Sequence, residues 1–425
     1  MKDELQRVIR TPGAILMGLG SIIGTGIFIS IAIATQVAGN GIIIAIAIAA
    51  VLAALNGLSS AQLAAAHPVS GGTYEYGYRF LNSWFGFTAG WMFLVAKSAS
   101  AATAVLGCIG YLYYAFGIET HSWMLAASGI LLLVIITALV SGGIRRSNTA
   151  NKWIVMTTLA GLAALVVTAF FVNGIPTKPL KDAITDTSAS SILYASALMF
   201  VAYTGYGRIA TLGEEVAEPK STIPKAIIFA MVIIVLIYLA VSLTALQVMG
   251  TEAFGQTLEG EAAPLMVVAQ ALSVPVIGPV ITIAAITAML GVLLNLILGL
   301  SRVLLGMARR KDIPHSISRI NPNTKSPVFA VWITGAIIGL LVLSGDVVFT
   351  WSFSAFTVLI YYSITNLSAL FMPPELHLYP RIIPVMGLLG CIFLAFWIDP
   401  KILLLGVGVI GIGLVWHWFV KSLIR

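Results

Sequence analysis

Apolar residues fill this chain in long runs parted by short polar connections. Runs long enough to cross about 30 Å of hydrocarbon lie at residues 12–38, 41–64, 84–115, 122–141, 153–173, 191–212, 226–248, 274–306, 328–344, 347–372, 382–398 and 402–420. The pattern predicts an all-α integral membrane protein with twelve transmembrane helices. Lys2, Arg7 and Arg10 before an apolar run resemble the start of a secretory signal, but the eleven runs that follow mark residues 12–38 as a retained first span.

The first span reads PGAILMGLGSIIGTGIF over residues 12–28, with Gly20, Gly24 and Gly26 in its middle. Inside a bilayer an unpaired backbone polar group costs several kcal/mol, so open backbone is tolerated only where it lines a cavity or is buried in protein. A break here would leave the N–H groups of Gly24, Thr25 and Gly26 at the positive end of a second half-helix, suited to a carboxylate. The freed carbonyls of Ser21 and Ile22 would suit a cation, so one segment addresses both ends of a zwitterion. The spacing Gly20-x-x-x-Gly24 equally fits a close helix-packing motif. The spacing and the lack of a preceding strand speak against a dinucleotide fingerprint.

A second interrupted span runs from Ser196 to Gly213, reading SALMFVAYTGYGRIATLG. If the first five helices repeat as the next five, the two interrupted spans occupy corresponding positions, which points to a transport site at the membrane midplane. Five is odd, so the repeats are expected to be inverted. The expected organisation is a cytoplasmic N-terminus at 1–11, a first repeat at 12–173, a second at 191–372 and two additional helices at 382–420.

Composition agrees with a polytopic membrane protein: 59% of residues are hydrophobic and 9% charged. The net charge of +7 is spread over short loops and forms no basic face for nucleic acid. Placing the N-terminus inside collects Arg145, Arg146, Lys220, Arg309, Arg310 and Lys311 on the cytoplasmic side, while the other side holds Lys178, Lys181 and Lys401 among acidic residues. The positive-inside rule then puts both termini in the cytoplasm, in a cell membrane, plasma or inner. Cys108 and Cys391 lie far apart in apolar runs, and the histidines show no metal-ligand spacing, so no disulfide framework, metal or cofactor is expected.

At these residues the chain resembles the amino acid-polyamine-organocation superfamily of permeases. Gly20 to Phe28 is similar to that family's first-helix signature, and Pro68-x-x-Gly71-Gly72-x-Tyr74-x-Tyr76 to its first cytoplasmic loop. Tyr203-Thr204-Gly205, Glu214-Glu215 and Glu218 to Ala226 resemble its sixth helix and following loop, and Ser301-Arg302 with Met307-Ala308-Arg309 its eighth. The resemblance implies the leucine-transporter-type fold, two inverted five-helix repeats with helices one and six broken, and alternating access. It implies a substrate carboxylate on the N–H groups of Ile23, Gly24, Thr25 and Gly26. The amino group would meet carbonyls of Ser21 and Ile22 and of Phe200, Val201, Ala202 and Tyr203. Where many members carry an aromatic gate this chain has Val201, so either Phe200 or Tyr203 supplies the lid or the pocket is roomier. Thr158 stands where some proton-coupled members have a lysine. Members with a disulfide-linked heavy chain use a cysteine after helix three; residues 116–121 have none, so no such partner is expected.

Charge within the spans adds Lys97, near the middle of the third, where it costs about 2.5–3.5 kcal/mol on insertion scales. Two roles fit: a cavity charge that couples protons or offsets substrate charge, or a structural lysine bonded to helix-end carbonyls. Glu214 and Glu215 are either solvated residues or inner-gate partners of an arginine such as Arg309. The expected function is secondary active transport of amino acids, small neutral ones, by proton symport or exchange, with Na+ not excluded. Alternatives are a polyamine or organic amine carrier, for which cavity carboxylates are missing, and a sensor that binds without transport. A membrane-embedded enzyme lacks the paired carboxylates, metal cluster or nucleophile it would need.

Overall fold

Apolar side chains and the absence of water leave a lipid-embedded backbone to satisfy its own hydrogen bonds, and helix is the local solution. The structure, a computed structural model, describes residues 9–67, 71–119, 121–143, 148–176, 188–210, 216, 218–258, 263–321, 324 and 326–424. Among these, helices are joined by turns, and the one extended pairing is an isolated parallel bridge between Ile9 and Val216.

The chain opens with α1 (Thr11–Ile22), whose Pro12 sits in the first turn where its missing N–H is no loss. A π-helical turn (Gly26–Ser30) and α2 (Ile31–Ala38) follow, then α3 (Ile42–Ala66). The short polar helix α4 (Thr73–Phe80) precedes α5 (Ser83–Ala115), whose start is capped by Asn82, accepting from the N–H groups of Trp84 and Phe85. Next come α6 (Ser122–Ser141), α7 (Asn148–Asn173), α8 (Ala189–Tyr203), a 3-10 turn (Thr204–Tyr206) and α9 (Gly207–Ala210). The remainder comprises α10 (Pro219–Met249), α11 (Thr251–Gln256), α12 (Pro264–Ala271), α13 (Ile277–Arg309), α14 (Val328–Val342), α15 (Val347–Leu370), α16 (Ile382–Ala395) and α17 (Pro400–Ile424).

Eight helical runs among the described residues are apolar and long enough to cross a membrane, the first of them Gly26–Ala66, which spans α2 and α3. Of the other runs read from the sequence, 191–212 is cut at Thr204, and 328–344 and 382–398 form helices of 15 and 14 residues. α5 and α15 are the most enclosed of the long helices and pack on each other and on α4, and α5 packs also on α13. α17 is the most exposed. The interrupted helices cross the middle of this bundle, α1 against α7 and α10, and α8 against α3.

Candidate functional site

The first break begins where α1 stops. Ile23 turns extended (φ −76°, ψ 106°) and its N–H closes the helix on the Leu19 carbonyl at 2.7 Å. Thr25 returns to helical angles, and the N–H groups of Ile27 and Phe28 both reach back to the Gly24 carbonyl, at 3.0 and 3.2 Å. The N–H groups of Gly24, Thr25 and Gly26 have no backbone acceptor among the described residues. The Thr25 hydroxyl is 3% exposed and also lacks a partner. Four donors thus stand at the positive end of a helix with nothing among the described residues to take them.

The second break is tighter. α8 ends at Tyr203 and the chain continues as one 3-10 turn before α9. Its carbonyls are largely taken: Thr204 Oγ1 donates to Val201 O at 2.7 Å, Tyr238 O–H to Ala202 O at 3.0 Å and Tyr362 O–H to Thr204 O at 3.3 Å. The two breaks touch. A Cβ at Gly205 would fall 2.6 Å from Ile22 N, and one at Gly26 would fall 2.9 Å from Ala202 Cβ, so glycine at both positions permits the approach.

Between the breaks lies a cavity of about 240 Å³. Ser21, Ile22, Thr25 and Gly26 form one wall, and Val201, Ala202, Thr204 and Gly205 another. α5 adds Lys97 and Ser100, α13 adds Asn295, and α15 adds Trp351, Tyr361 and Tyr362. Lys97 Nζ donates to Thr204 Oγ1 at 2.9 Å, so its charge stands at the second break and not on a distant helix end. Ser100 Oγ pairs with Ser354 Oγ at 2.8 Å, and Ser354 also donates to Ala96 O, which ties α5 to α15. Of the small polar residues and tyrosines on these helices, Ser100 and Tyr361 reach the cavity, whereas Ser98, Thr103, Ser354 and Thr357 lie in packing.

Four residues expected at the substrate are placed differently. Phe200 is fully buried with its ring edge-on to Tyr362, centroids 5.6 Å apart, and Tyr203 is fully buried against Tyr238 with its hydroxyl on Ile46 O. Neither lines the cavity, so neither supplies a lid; α8 turns them onto neighbouring helices and presents Val201 and Ala202 instead. Ile23 and Gly24 also stay off the wall, Gly24 packing on Val292 and Ala288 of α13.

From the breaks the cavity follows the C-terminal half of α13 to Arg302 and Gly306, and meets Gly72, Tyr74 and Glu75 at the start of α4. A polar cluster holds this rim. Arg310 forms an ion pair with Glu75 and lies over the ring of Tyr78, 4.4 Å from its centroid. Asp312 accepts the hydroxyls of Tyr74 at 2.7 Å and Tyr78 at 2.8 Å, and Trp416 Nε1 donates to its backbone carbonyl. Burial first, and the Asp312 carboxylate second, push the ionisation of both tyrosines up, so both hydroxyls persist as donors. The sequence reading missed this cluster, although Tyr74 and Tyr78 at i and i+4 on α4 mark one face for it. Glu214 and Glu215 lie outside the described residues, and Arg309 is exposed; the rim ion pair that is described is Arg310 with Glu75.

The opposite end is shut. Tyr111 O–H donates to Phe28 O at 3.1 Å while its oxygen accepts from Leu265 N at 3.1 Å, which seats α12 over the first break. Thr103 and Thr350 hydroxyls bond at 2.9 Å alongside. Among the described residues no group of metal-ligating side chains comes together, and Cys108 and Cys391 are separate and buried.

Residues 13–415 match the profile of the amino acid permease family. The chain is 39% identical over 411 residues to an uncharacterized transporter of Mycobacterium tuberculosis, covering 97% of this chain and 90% of that protein. It is 27% identical over 358 residues, 80% of this chain and 75% of the relative, to a branched-chain amino acid permease of Bacillus subtilis. A methylthioribose transporter of the same organism is 26% identical over 351 residues, 79% of this chain and 74% of that protein.

Proposed function

We propose that this chain, which belongs to the amino acid permease family, is a secondary active transporter that moves small amino acids by alternating access. The family and the relatives named as transporters make it a multi-pass membrane transporter and not an enzyme. One observation carries the finer reading: two helix breaks meet at a single cavity, and the first leaves the N–H groups of Gly24, Thr25 and Gly26 and the Thr25 hydroxyl without partners. A substrate carboxylate completes those of Thr25 and Gly26, which line the cavity. The carbonyls of Ser21 and Ile22 receive its ammonium, and Val201 and Ala202 bound its side chain. The breaks address only the α-carboxylate and α-amino group, so they admit any small amino acid, the neutral ones included. Glu75 is the sole carboxylate on the described wall and is engaged by Arg310, which speaks against polyamines and organic amines.

The topology proposed with it is twelve spans, with 12–173 and 191–372 as inverted repeats and a break at the same place in each. The cytoplasmic side is the one rich in lysine and arginine. In that orientation the cavity extends from the breaks toward the cytoplasmic rim, while Tyr111 and α12 close the outer side. Coupling is by proton symport or exchange. Na+ is the alternative coupling ion, since α13 presents the Ala288 carbonyl beside Gly24 together with a methyl group of Val292. Uptake of labelled amino acids by proteoliposomes, with and without a pH gradient, tests the proposal. Uptake or exchange of at least one small amino acid is expected; none for any amino acid or amine would sink it.

A further inference from the structure

On the described cavity wall Glu75, whose carboxylate already belongs to Arg310, is the one carboxylate set against Lys97. Lys97 is the cation nearest the breaks. Its ammonium has three donors and spends one on Thr204 Oγ1, which in turn donates to Val201 O and so is fixed as the acceptor. Among the described residues no carboxylate comes within 4.0 Å of it. A cation at membrane depth without a counter-charge is expensive unless something that enters the cavity supplies one.

Position narrows what that something is. Gly205, the next residue after Thr204, lies against the Ser21 carbonyl and Ile22 N, so the residue that holds the ammonium adjoins the point where the two breaks meet. Two further groups lie on the same wall with nothing to bond: the Thr25 hydroxyl and the Asn295 amide nitrogen, both donors.

We infer that Lys97 is a specificity-determining residue, which binds an oxygen at the end of a short substrate side chain, a carboxylate in preference to a carboxamide. This rests on the transporter reading and adds the side chain to it: aspartate-like substrates are favoured, and lysine- or arginine-like ones are rejected by like charge.

The test is uptake of labelled aspartate, asparagine and alanine by proteoliposomes holding the wild-type chain, Lys97→Met or Lys97→Arg. A charge-assisted hydrogen bond is typically worth tenfold or more in affinity. The expected result is that wild type prefers aspartate, that the aspartate-to-alanine ratio falls about tenfold in Lys97→Met, and that Lys97→Arg retains most of the preference. Should Lys97→Met not fold, Thr204→Val, which frees the ammonium from its anchor, is expected to lower the same ratio. Equal ratios in wild type and variant, or a change in pH dependence alone, would overturn the assignment. Uptake of alanine with aspartate refused by wild type would overturn it too, while leaving the transporter reading intact. No uptake of any of the three would overturn the assignment, and the transporter reading with it only if the wider panel of amino acids and amines also failed.

Discussion

Gly205 rests against the carbonyl of Ser21, and the two helix breaks meet at that point. A Cβ added at Gly205 would fall 2.5 Å from the Ser21 carbonyl carbon and 2.6 Å from Ile22 N, both backbone atoms that cannot swing aside. Overpacking of this kind costs about 1–3 kcal/mol. Gly205→Ala is expected to push the breaks apart and lower uptake by about tenfold or more, while Gly299→Ala, where a Cβ meets open space, leaves stability near wild type. Thermal unfolding of the purified variants beside their uptake rates checks this. Full uptake by Gly205→Ala would mean that the contact between the breaks is dispensable.

The rim depends on Asp312. Its carboxylate takes two tyrosine hydroxyls, and α17 is tied to its carbonyl through Trp416. Asp312→Asn removes the charge and is expected to cost about 1–3 kcal/mol, read as a lower Tm. A Tm equal to that of wild type would show the cluster to be passive.

The same cluster sets a pH dependence. Tyr74 and Tyr78 ionise above their ordinary 10.0 in the folded chain, by burial and then by Asp312. A raised folded value means stability that is fully present below the unfolded value and lost as pH rises past it. The Tm advantage of wild type over the double variant Tyr74→Phe, Tyr78→Phe should hold steady from about pH 6 to about pH 9 and shrink above about pH 10. An advantage that grows with alkali would contradict the assigned direction.

At the closed end, Tyr111 bridges Phe28 O and Leu265 N. Tyr111→Phe strips two hydrogen bonds of about 1 kcal/mol each and leaves the Leu265 N–H buried. The variant is expected to open outward more often. A Val201→Cys reporter, with the native cysteines buried, should then react faster with an impermeant thiol reagent applied from the α12 side. An unchanged rate would assign closure to other contacts.

What the sequence made legible and what it hid divide along physical lines. Glycines and hydroxyls in mid-span contradict the demands of lipid, so the break after Ile22 was readable from composition alone. Lys97 was readable for the same reason, though its partner Thr204 lies 107 positions away. The second break was located but not its form: nothing local tells that Tyr238 and Tyr362 fill its carbonyls. Which side chains of the second break face the cavity was hidden, because a helix in an all-apolar span has no polar face to fix its rotation; Val201 and Ala202 line it and the rings of Phe200 and Tyr203 do not. The Asp312 cluster unites α4 with the end of α13 and with α17, and pairing across such separations leaves no periodic trace.

The central claim is that the space beside the two breaks is where a transported amino acid sits. Counterflow of labelled amino acids in proteoliposomes, run in parallel on wild type and Gly26→Val, tests it most directly, since a side chain at Gly26 would meet Tyr238 Oη and Ala202 Cβ and intrude on the first break. The account predicts exchange by wild type and its loss in a variant that still unfolds cooperatively. Exchange at the wild-type rate by Gly26→Val would contradict it.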